Sequence, residues 1–201
     1  MPHPVTRMGE SLLARFTLRE SLVVGLTATC IVLSGLFLYI PSLLPAHKVL
    51  GVVFFLLLGR GCVRPALAGT IIGLLAGLIA LYPGLGRGGP VQLVRYVTAG
   101  GVADLLFFLL PSMTSSRLFG AIAGALMGMT WFPLAFLMDL LVGMEAGTAA
   151  RHALLKTVSA ACFGTLAGLL APTVVRRLRA SGLIPPPPHA GTAAYEKDVS
   201  Q

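Results

Sequence analysis

Long runs of apolar residues constrain this chain more than any other feature of its sequence. Hydrophobic residues make up 56% of the chain and charged residues only 11%, whereas a soluble domain has about 25% charged residues. A run of roughly 20 apolar residues is what a helix needs to cross the hydrocarbon core of a bilayer. The sequence therefore predicts an all-α integral membrane protein, and it argues against a soluble enzyme, a nucleic-acid-binding domain and a disordered linker.

Prolines, glycine-rich turns and arginines divide the apolar sequence into six predicted spans. They cover approximately residues 20–40, 49–58, 65–82, 93–110, 118–142 and 152–175. The second is short for a full crossing, the third has Pro65 in its first turn, and Pro133 should kink the fifth because it removes a backbone hydrogen bond. We predict one six-helix transmembrane domain over 20–183. It follows a polar segment, 1–19, that contains a short interfacial helix at 10–16, and it precedes a Pro-rich disordered tail at 184–201.

The distribution of basic residues predicts the orientation of this bundle. With six spans both termini share one side, which carries ten Lys and Arg residues: Arg7, Arg15, Arg19, Arg60, Arg64, Arg117, Arg176, Arg177, Arg179 and Lys197. The other side carries five: Lys48, Arg87, Arg95, Arg151 and Lys156. Because Lys and Arg accumulate on the cytoplasmic side, we expect both termini in the cytoplasm. The net charge of +8 is then explained by orientation, and no nucleic-acid partner is expected.

Small residues recur at every fourth position in several spans. They are Gly69, Gly73 and Gly77 in the third span, Gly120, Gly124 and Gly128 in the fifth, and Gly164 and Gly168 in the sixth. This spacing places them on one helix face and allows close packing within the bundle. A looser series in the first span, Ser21, Gly25 and Thr29, serves either internal packing or docking of a partner. The similar segments 69–76 and 164–171 indicate either a three-plus-three repeat or chance.

Polar and aromatic residues gather near the predicted outer ends of the last three spans. They are Gln92, Arg95 and Tyr96 in the fourth span, Trp131, Phe132 and Asp139 in the fifth, and His152, Lys156 and Ser159 on one face of the sixth. Charges inside spans are costly and usually face the bundle interior or a water-filled cavity. We therefore predict a pocket for a small polar ligand. The alternative is that Arg95 and Lys156 extend to the membrane interface.

Asp104 lies deep in the fourth span, one turn after Gly100 and Gly101. We expect it to pair with a buried cation or to cap a helix break, and a role in proton coupling is the alternative. The glycine-rich loop 84–89 lacks the Lys and Ser/Thr of a nucleotide-binding loop. The sequence also lacks metal-ligand spacing and the motifs of a hydrolase nucleophile. We predict no metal, no cofactor and no catalytic residues.

Five sequence elements follow one another in a recognisable order. A basic N-terminus leads into a small-residue first span, and Arg-Pro-Ala-Leu-Ala-Gly at 64–69 opens the third span. Gly-Gly-Pro at 88–90, Gly-Gly-x-x-Asp-Leu-Leu at 100–106 and Arg-Arg-Leu-Arg-Ala-Ser-Gly-Leu at 176–183 follow. In this layout, over about 20–183, the chain resembles the substrate-binding S component of energy-coupling factor (ECF) vitamin transporters.

The resemblance implies a plasma-membrane protein that captures a vitamin or related small molecule from outside. It implies docking on a transmembrane coupling subunit and two cytoplasmic ATPases that power inward release. The Ala-x-x-x-Ala docking face of that family's first span corresponds here to Ser21, Gly25 and Thr29, with Ala28 as a further candidate, so small residues are kept but the alanines are not. Pockets in that family are built from the outer halves of the last three spans, in agreement with the polar residues above. A stand-alone secondary transporter, coupled to protons through Asp104 or Asp139, is the alternative function.

Overall fold

The computed structural model describes residues 16–37, 46–63, 65–82, 90–109 and 116–182, and the regular structure in these ranges is entirely helical. The helices are α1 (Leu18–Phe37), α2 (Lys48–Cys62), α3 (Ala68–Ala80), α4 (Pro90–Leu109), α5 (Arg117–Met129), α6 (Trp131–Leu141) and α7 (Ala146–Ala180). Four stretches are long and apolar enough to cross a membrane: α1, α4, α5 together with α6, and α7. The chain is therefore a membrane-embedded helical protein. The predicted tail and most of the predicted interfacial helix lie outside the described residues.

Local sequence explains where α1 begins. Thr17 and Glu20 form a capping box, in which the Glu20 backbone N–H donates to Thr17 Oγ1 at 3.3 Å and the Thr17 backbone N–H donates to Glu20 Oε2 at 3.0 Å. This reciprocal pair satisfies backbone donors that a helix start otherwise leaves unpaired. The helix consequently starts at Leu18, two residues before the predicted span.

Several predicted helix ends were wrong. α2 continues through Gly59 and Arg60 to Cys62, because the Arg60 side chain is buried and paired rather than placed at the membrane surface. α3 begins at Ala68, so Pro65 precedes the helix instead of lying in its first turn. α7 has 35 residues, about 52 Å at 1.5 Å per residue. Because the hydrocarbon core is only about 30 Å thick, the helix extends beyond it. It continues past the predicted end at residue 175 and includes Arg176, Arg177 and Arg179.

The predicted kink at Pro133 is observed as a break in the helix. α5 ends at Met129, Thr130 follows, and α6 starts at Trp131. In a continuous helix the residue at position 133 would donate its backbone N–H to the Met129 carbonyl, but proline has no N–H and its ring crowds that carbonyl. The helix after the break, α6, carries Trp131 and Asp139.

The glycines spaced four residues apart allow the backbones of two pairs of helices to pack in close contact, as predicted. A Cβ atom at Gly73 would overlap the backbone carbonyl of Tyr96, which packs α3 on α4. Gly124 and Gly164 face each other in the same way and pack α5 on α7. The segment 69–76 thus contacts the helix that follows it, whereas 164–171 contacts α5, from which it is separated in sequence by α6. The two similar segments therefore do not occupy equivalent positions of a three-plus-three repeat.

α2 lies at the centre of the bundle between α1 and α7. It buries a run of branched apolar side chains: Val49, Val52, Val53, Leu56 and Leu57. α6 is packed far less completely, since Ala135 is its one buried residue and its main neighbour is α7. α6 is thus held mainly by its contact with α7.

Candidate functional site

A single carboxylate on α6 binds two side chains of α7. Asp139 Oδ2 lies 2.8 Å from His152 Nδ1, and Asp139 Oδ1 lies 3.7 Å from Lys156 Nζ. His152 and Lys156 are four residues apart, so the helix repeat places both on the face turned toward α6. Their side chains are 44% and 38% exposed and that of Asp139 is 13% exposed. The carboxylate is thus shielded by its partners, and the partners remain accessible.

Arg95 reaches the same helix from α4. Its Cζ atom lies 5.2 Å from the ring centroid of Trp131, within the range of a cation–π interaction. Arg95 and the Asp139 carboxylate also attract each other electrostatically. α6 therefore carries both contacts: Trp131, in its first turn, meets α4, and Asp139, in its last turn, meets α7. We call this group the α6 cluster: Arg95, Trp131, Asp139, His152 and Lys156.

Three other residues that we predicted for this pocket are placed differently. Gln92 Nε2 donates a hydrogen bond to Tyr96 Oη at 3.0 Å, and Tyr96 is buried. Its hydroxyl lies toward α1, 4.0 Å from the position of a Cβ atom on Gly35. Consecutive helix residues point about 100° apart, so Arg95 and Tyr96 face different neighbours. Ser159 lies one turn beyond Lys156, is partly buried and has an interaction partner of its own.

The aromatic residues of α6 also divide between two environments. Phe132 stacks on Phe136 of the same helix, with ring centroids 6.0 Å apart, whereas Trp131 packs against the core and under Arg95. The indole Nε1 of Trp131 is buried and has no hydrogen-bond partner among the described residues. Burying such a donor without an acceptor costs about 1–3 kcal/mol. Trp131 is therefore the member of the cluster best suited to donate to a bound molecule.

The opposite end of α4 holds a buried ion pair, which confirms the structural role predicted for Asp104. Arg60 Nε lies 2.9 Å from Asp104 Oδ1, and the two side chains are 3% and 7% exposed. The Nε hydrogen is not aligned with that oxygen, so the contact is an ion pair rather than a hydrogen bond. The partner was not identified from the sequence, although an arginine inside an apolar segment was a signal for a buried charge.

Asp104 also caps α3 from a different helix. Its Oδ1 accepts the backbone N–H of Gly69 at 2.9 Å, and its Oδ2 accepts the backbone N–H and the hydroxyl of Thr70 at 2.7 and 2.8 Å. The residue at the N-cap position, Leu67, offers no side-chain cap. The carboxylate therefore satisfies donors that a helix start leaves unpaired. The predicted pairing of Asp104 with a buried cation is therefore confirmed, and the capping is of the start of α3 rather than of a helix break.

The two Nη atoms of Arg60 each donate a hydrogen bond to a backbone carbonyl. Nη1 donates to the Val63 carbonyl at 3.1 Å and Nη2 to the Ala66 carbonyl at 3.4 Å. The Cζ atom lies 3.9 Å from the ring centroid of Phe107 on α4. Buried charges need this degree of pairing and hydrogen bonding to be tolerated. This end of the bundle is therefore a structural junction of α2, α3 and α4.

The predicted docking face on α1 is only partly as expected. Ser21 and Thr29 are exposed, and no atom of the described residues lies within 4 Å of a Cβ atom built on Gly25. Ala28 is fully buried, so its assignment to this face was wrong. The reason is the helix repeat, which places residue 28 beside the buried Val24 and residue 29 beside Gly25.

Comparisons of the chain with models of protein families, with curated proteins and with solved structures found no match. The function must therefore be inferred from the chemistry of the side chains. The α6 cluster contains two permanent cations, one carboxylate, an imidazole and an indole donor, half open to the end of the bundle. This combination of charge and hydrogen-bonding groups is suited to reversible binding of a small polar molecule.

Proposed function

We propose that this chain is the substrate-binding S component of an ECF-type importer and that it binds a vitamin-like small molecule at the α6 cluster. One observation carries the proposal. In an apolar bundle, Asp139 lies within 4 Å of both His152 and Lys156, and Arg95 covers the neighbouring Trp131. Charged groups inside spans are expensive and are typically retained where a substrate or ion must be bound. The layout of the sequence elements described above supports the same assignment.

The proposed cycle takes its work from partner proteins. The chain lies in the plasma membrane with six spans, both termini in the cytoplasm and the α6 cluster toward the outside. A transmembrane coupling subunit and two cytoplasmic ATPases supply the change of state. A ligand by itself shifts a conformational equilibrium only by its difference in affinity for the two states. The chain contributes affinity and selectivity, and ATP hydrolysis drives release.

The open face of α1 supports docking of the coupling subunit. Ser21, Gly25 and Thr29 form a shallow strip, and the exposed side chains of Leu22 and Leu26 flank it. Inside a membrane, small residues on a helix surface let another helix approach closely. The small residues of α3 and α5 are covered by α4 and α7 of the same chain. Those on the outer face of α1 are not covered by other described residues, so a helix of the coupling subunit can pack there.

The ligand-binding step can be tested with the purified full-length chain in detergent. Native mass spectrometry should find a co-purified small molecule, and adding that molecule should raise the thermal midpoint. Replacing Lys156 or Arg95 by Gln should abolish the shift. Arg151→Gln is a matched control, because Arg151 is exposed on the same helix and is not a member of the cluster. Repeated absence of a ligand, together with no stabilisation by any member of a vitamin panel, would overturn the proposal.

The alternative transporter requires a carboxylate that exchanges protons during transport. Asp104 is bonded to Arg60 and to the first turn of α3, and losing those contacts would disturb the fold. This leaves Asp139 as the carboxylate for such a role. The two functions separate in liposomes that contain this chain alone. Uptake driven by a proton gradient and abolished by Asp139→Asn would support the secondary transporter, whereas the S component needs its partners for uptake.

A further inference from the structure

We infer that the ligand of the α6 cluster is a planar organic anion, with a carboxylate as the group that the cluster recognises. This inference rests on the function proposed above and names the chemical class of the ligand. It follows from the charge balance of the cluster and from the donor and the flat surface that Trp131 and Arg95 provide.

The cluster carries more positive than negative charge. Arg95 and Lys156 are permanent cations and Asp139 is the one carboxylate that they share. Asp139 is closer to His152, at 2.8 Å, than to Lys156, at 3.7 Å, and 3.7 Å is too long for a hydrogen bond. The Lys156 ammonium is therefore attracted to the Asp139 carboxylate but does not form a short hydrogen bond with it. A second carboxylate, brought by a ligand, can supply that bond.

Two further charges lie near the start of α7 in the described part of the chain. Glu145 precedes α7 and Arg151 lies one residue before His152, and both are exposed. Their charges are opposite, and exposed charges are screened by salt over about 8–10 Å. A cationic ligand would be repelled by Arg95 and Lys156 and attracted only by the Asp139 carboxylate. The electrostatics of the cluster therefore select against cations and in favour of anions.

The surroundings of Trp131 indicate that the ligand is planar. The guanidinium of Arg95 lies over the indole ring, and both groups are planar. Conjugated rings stack on such surfaces. The buried Nε1 of Trp131, which has no partner within the described part of the chain, is a donor that a carboxylate oxygen can satisfy. Stacking beside Arg95 and Trp131, together with acceptance of a hydrogen bond from the Lys156 ammonium, describes an aromatic carboxylate.

Pairs of isosteric molecules test this inference on the purified full-length chain. The probes are nicotinate with nicotinamide, 4-aminobenzoate with 4-aminobenzamide, and cyclohexanecarboxylate as a carboxylate without a planar ring. We expect each aromatic carboxylate to bind at least 10-fold more tightly than its amide and than the saturated acid. Lys156→Gln should remove the preference for charge, Lys156→Arg should keep it, and Arg151→Gln should leave it unchanged. Thermal midpoints of the unliganded variants verify that they fold.

The outcomes distinguish this inference from the proposed function. Equal binding of a carboxylate and its amide, or a preference that survives in Lys156→Gln, would overturn the inference and leave the binding function standing. A co-purified ligand without a negative charge would do the same. A co-purified aromatic carboxylate would support both. Failure of every probe to bind, together with no co-purified molecule, would overturn both.

Discussion

Arg60 and Asp104 form a buried ion pair with 2.9 Å between Nε and Oδ1, and the same carboxylate caps the first turn of α3. One side chain thus joins three helices at the bundle end opposite the α6 cluster. A charge that is fully paired in this way stabilises the fold and is not available to a ligand. The Asp139 carboxylate differs, because the side chains that it contacts remain accessible.

Replacing Asp104 by Asn should destabilise the protein without acting directly on the ligand site. The amide keeps the shape and an acceptor for Thr70 but leaves Arg60 buried without a counter-charge. Breaking one partner of a buried pair typically costs about 3–5 kcal/mol. Thermal unfolding in detergent should show a clearly lower midpoint, while the fraction that remains folded binds ligand normally. Adding Arg60→Met to Asp104→Asn should recover part of the loss, because the unpaired charge is then gone.

Replacing Gly124 by Leu should separate α5 from α7. A side chain at this position would occupy the place of the Gly164 backbone carbonyl, which cannot move without shifting the helix. The loss should therefore exceed the roughly 1–3 kcal/mol typical of overpacking. Gly147→Leu is the control, because nothing lies within 4 Å of its Cβ position. Equal thermal midpoints for the two variants would show that the close contact is not present in solution.

Replacing Gly25 by Leu should leave the fold and ligand binding intact and block assembly with the coupling subunit. The position is open in the isolated chain, so a larger side chain meets no neighbour there. Co-purification with the coupling subunit and ATPases measures assembly, and the thermal shift with ligand measures binding. Undiminished assembly would show that the partner binds elsewhere on the chain.

Replacing Pro133 by Ala should restore a backbone donor to the Met129 carbonyl and straighten the junction of α5 and α6. Trp131 and Asp139 would then move relative to Arg95 and His152. We expect ligand affinity to fall about 10-fold or more, equivalent to about 1.4 kcal/mol, with little change in thermal stability. Pro172→Ala in α7 is a comparison for the loss of a helix proline outside the cluster. Unchanged affinity in Pro133→Ala would show that the break does not position the site.

The sequence predicted much of this architecture, because apolar run length and small-residue spacing act locally along a helix. The glycine faces, the break near Pro133 and the structural use of Asp104 all follow from such local rules. The identity of the Asp104 partner did not, since Arg60 is 44 positions away in the sequence and only tertiary packing brings the two side chains together.

The sequence predicted which residues form the candidate site better than it predicted the direction in which each side chain points. Arg95 does contact Trp131, and Asp139 does contact His152 and Lys156. The two groups lie on the same short helix, with Trp131 in its first turn and Asp139 in its last. Tyr96 faces α1 instead, because a one-residue step turns a helix side chain by about 100°, and Gln92 is bonded to the Tyr96 hydroxyl. For the same reason Ala28 is buried while Thr29 is exposed. The angular position of each helix is set by packing, and the sequence alone did not reveal it.

Trp131 provides the most direct test of the α6 cluster, because it is the single tryptophan of the chain. Its fluorescence should be titrated with the molecule that co-purifies with the full-length protein or with the tightest probe. We predict a saturable change in Trp131 emission that is lost in Arg95→Gln and Lys156→Gln and retained in Arg151→Gln. Ligand-induced thermal stabilisation with no change in Trp131 emission, and with unchanged affinity in the two cluster variants, would contradict a binding site at this position.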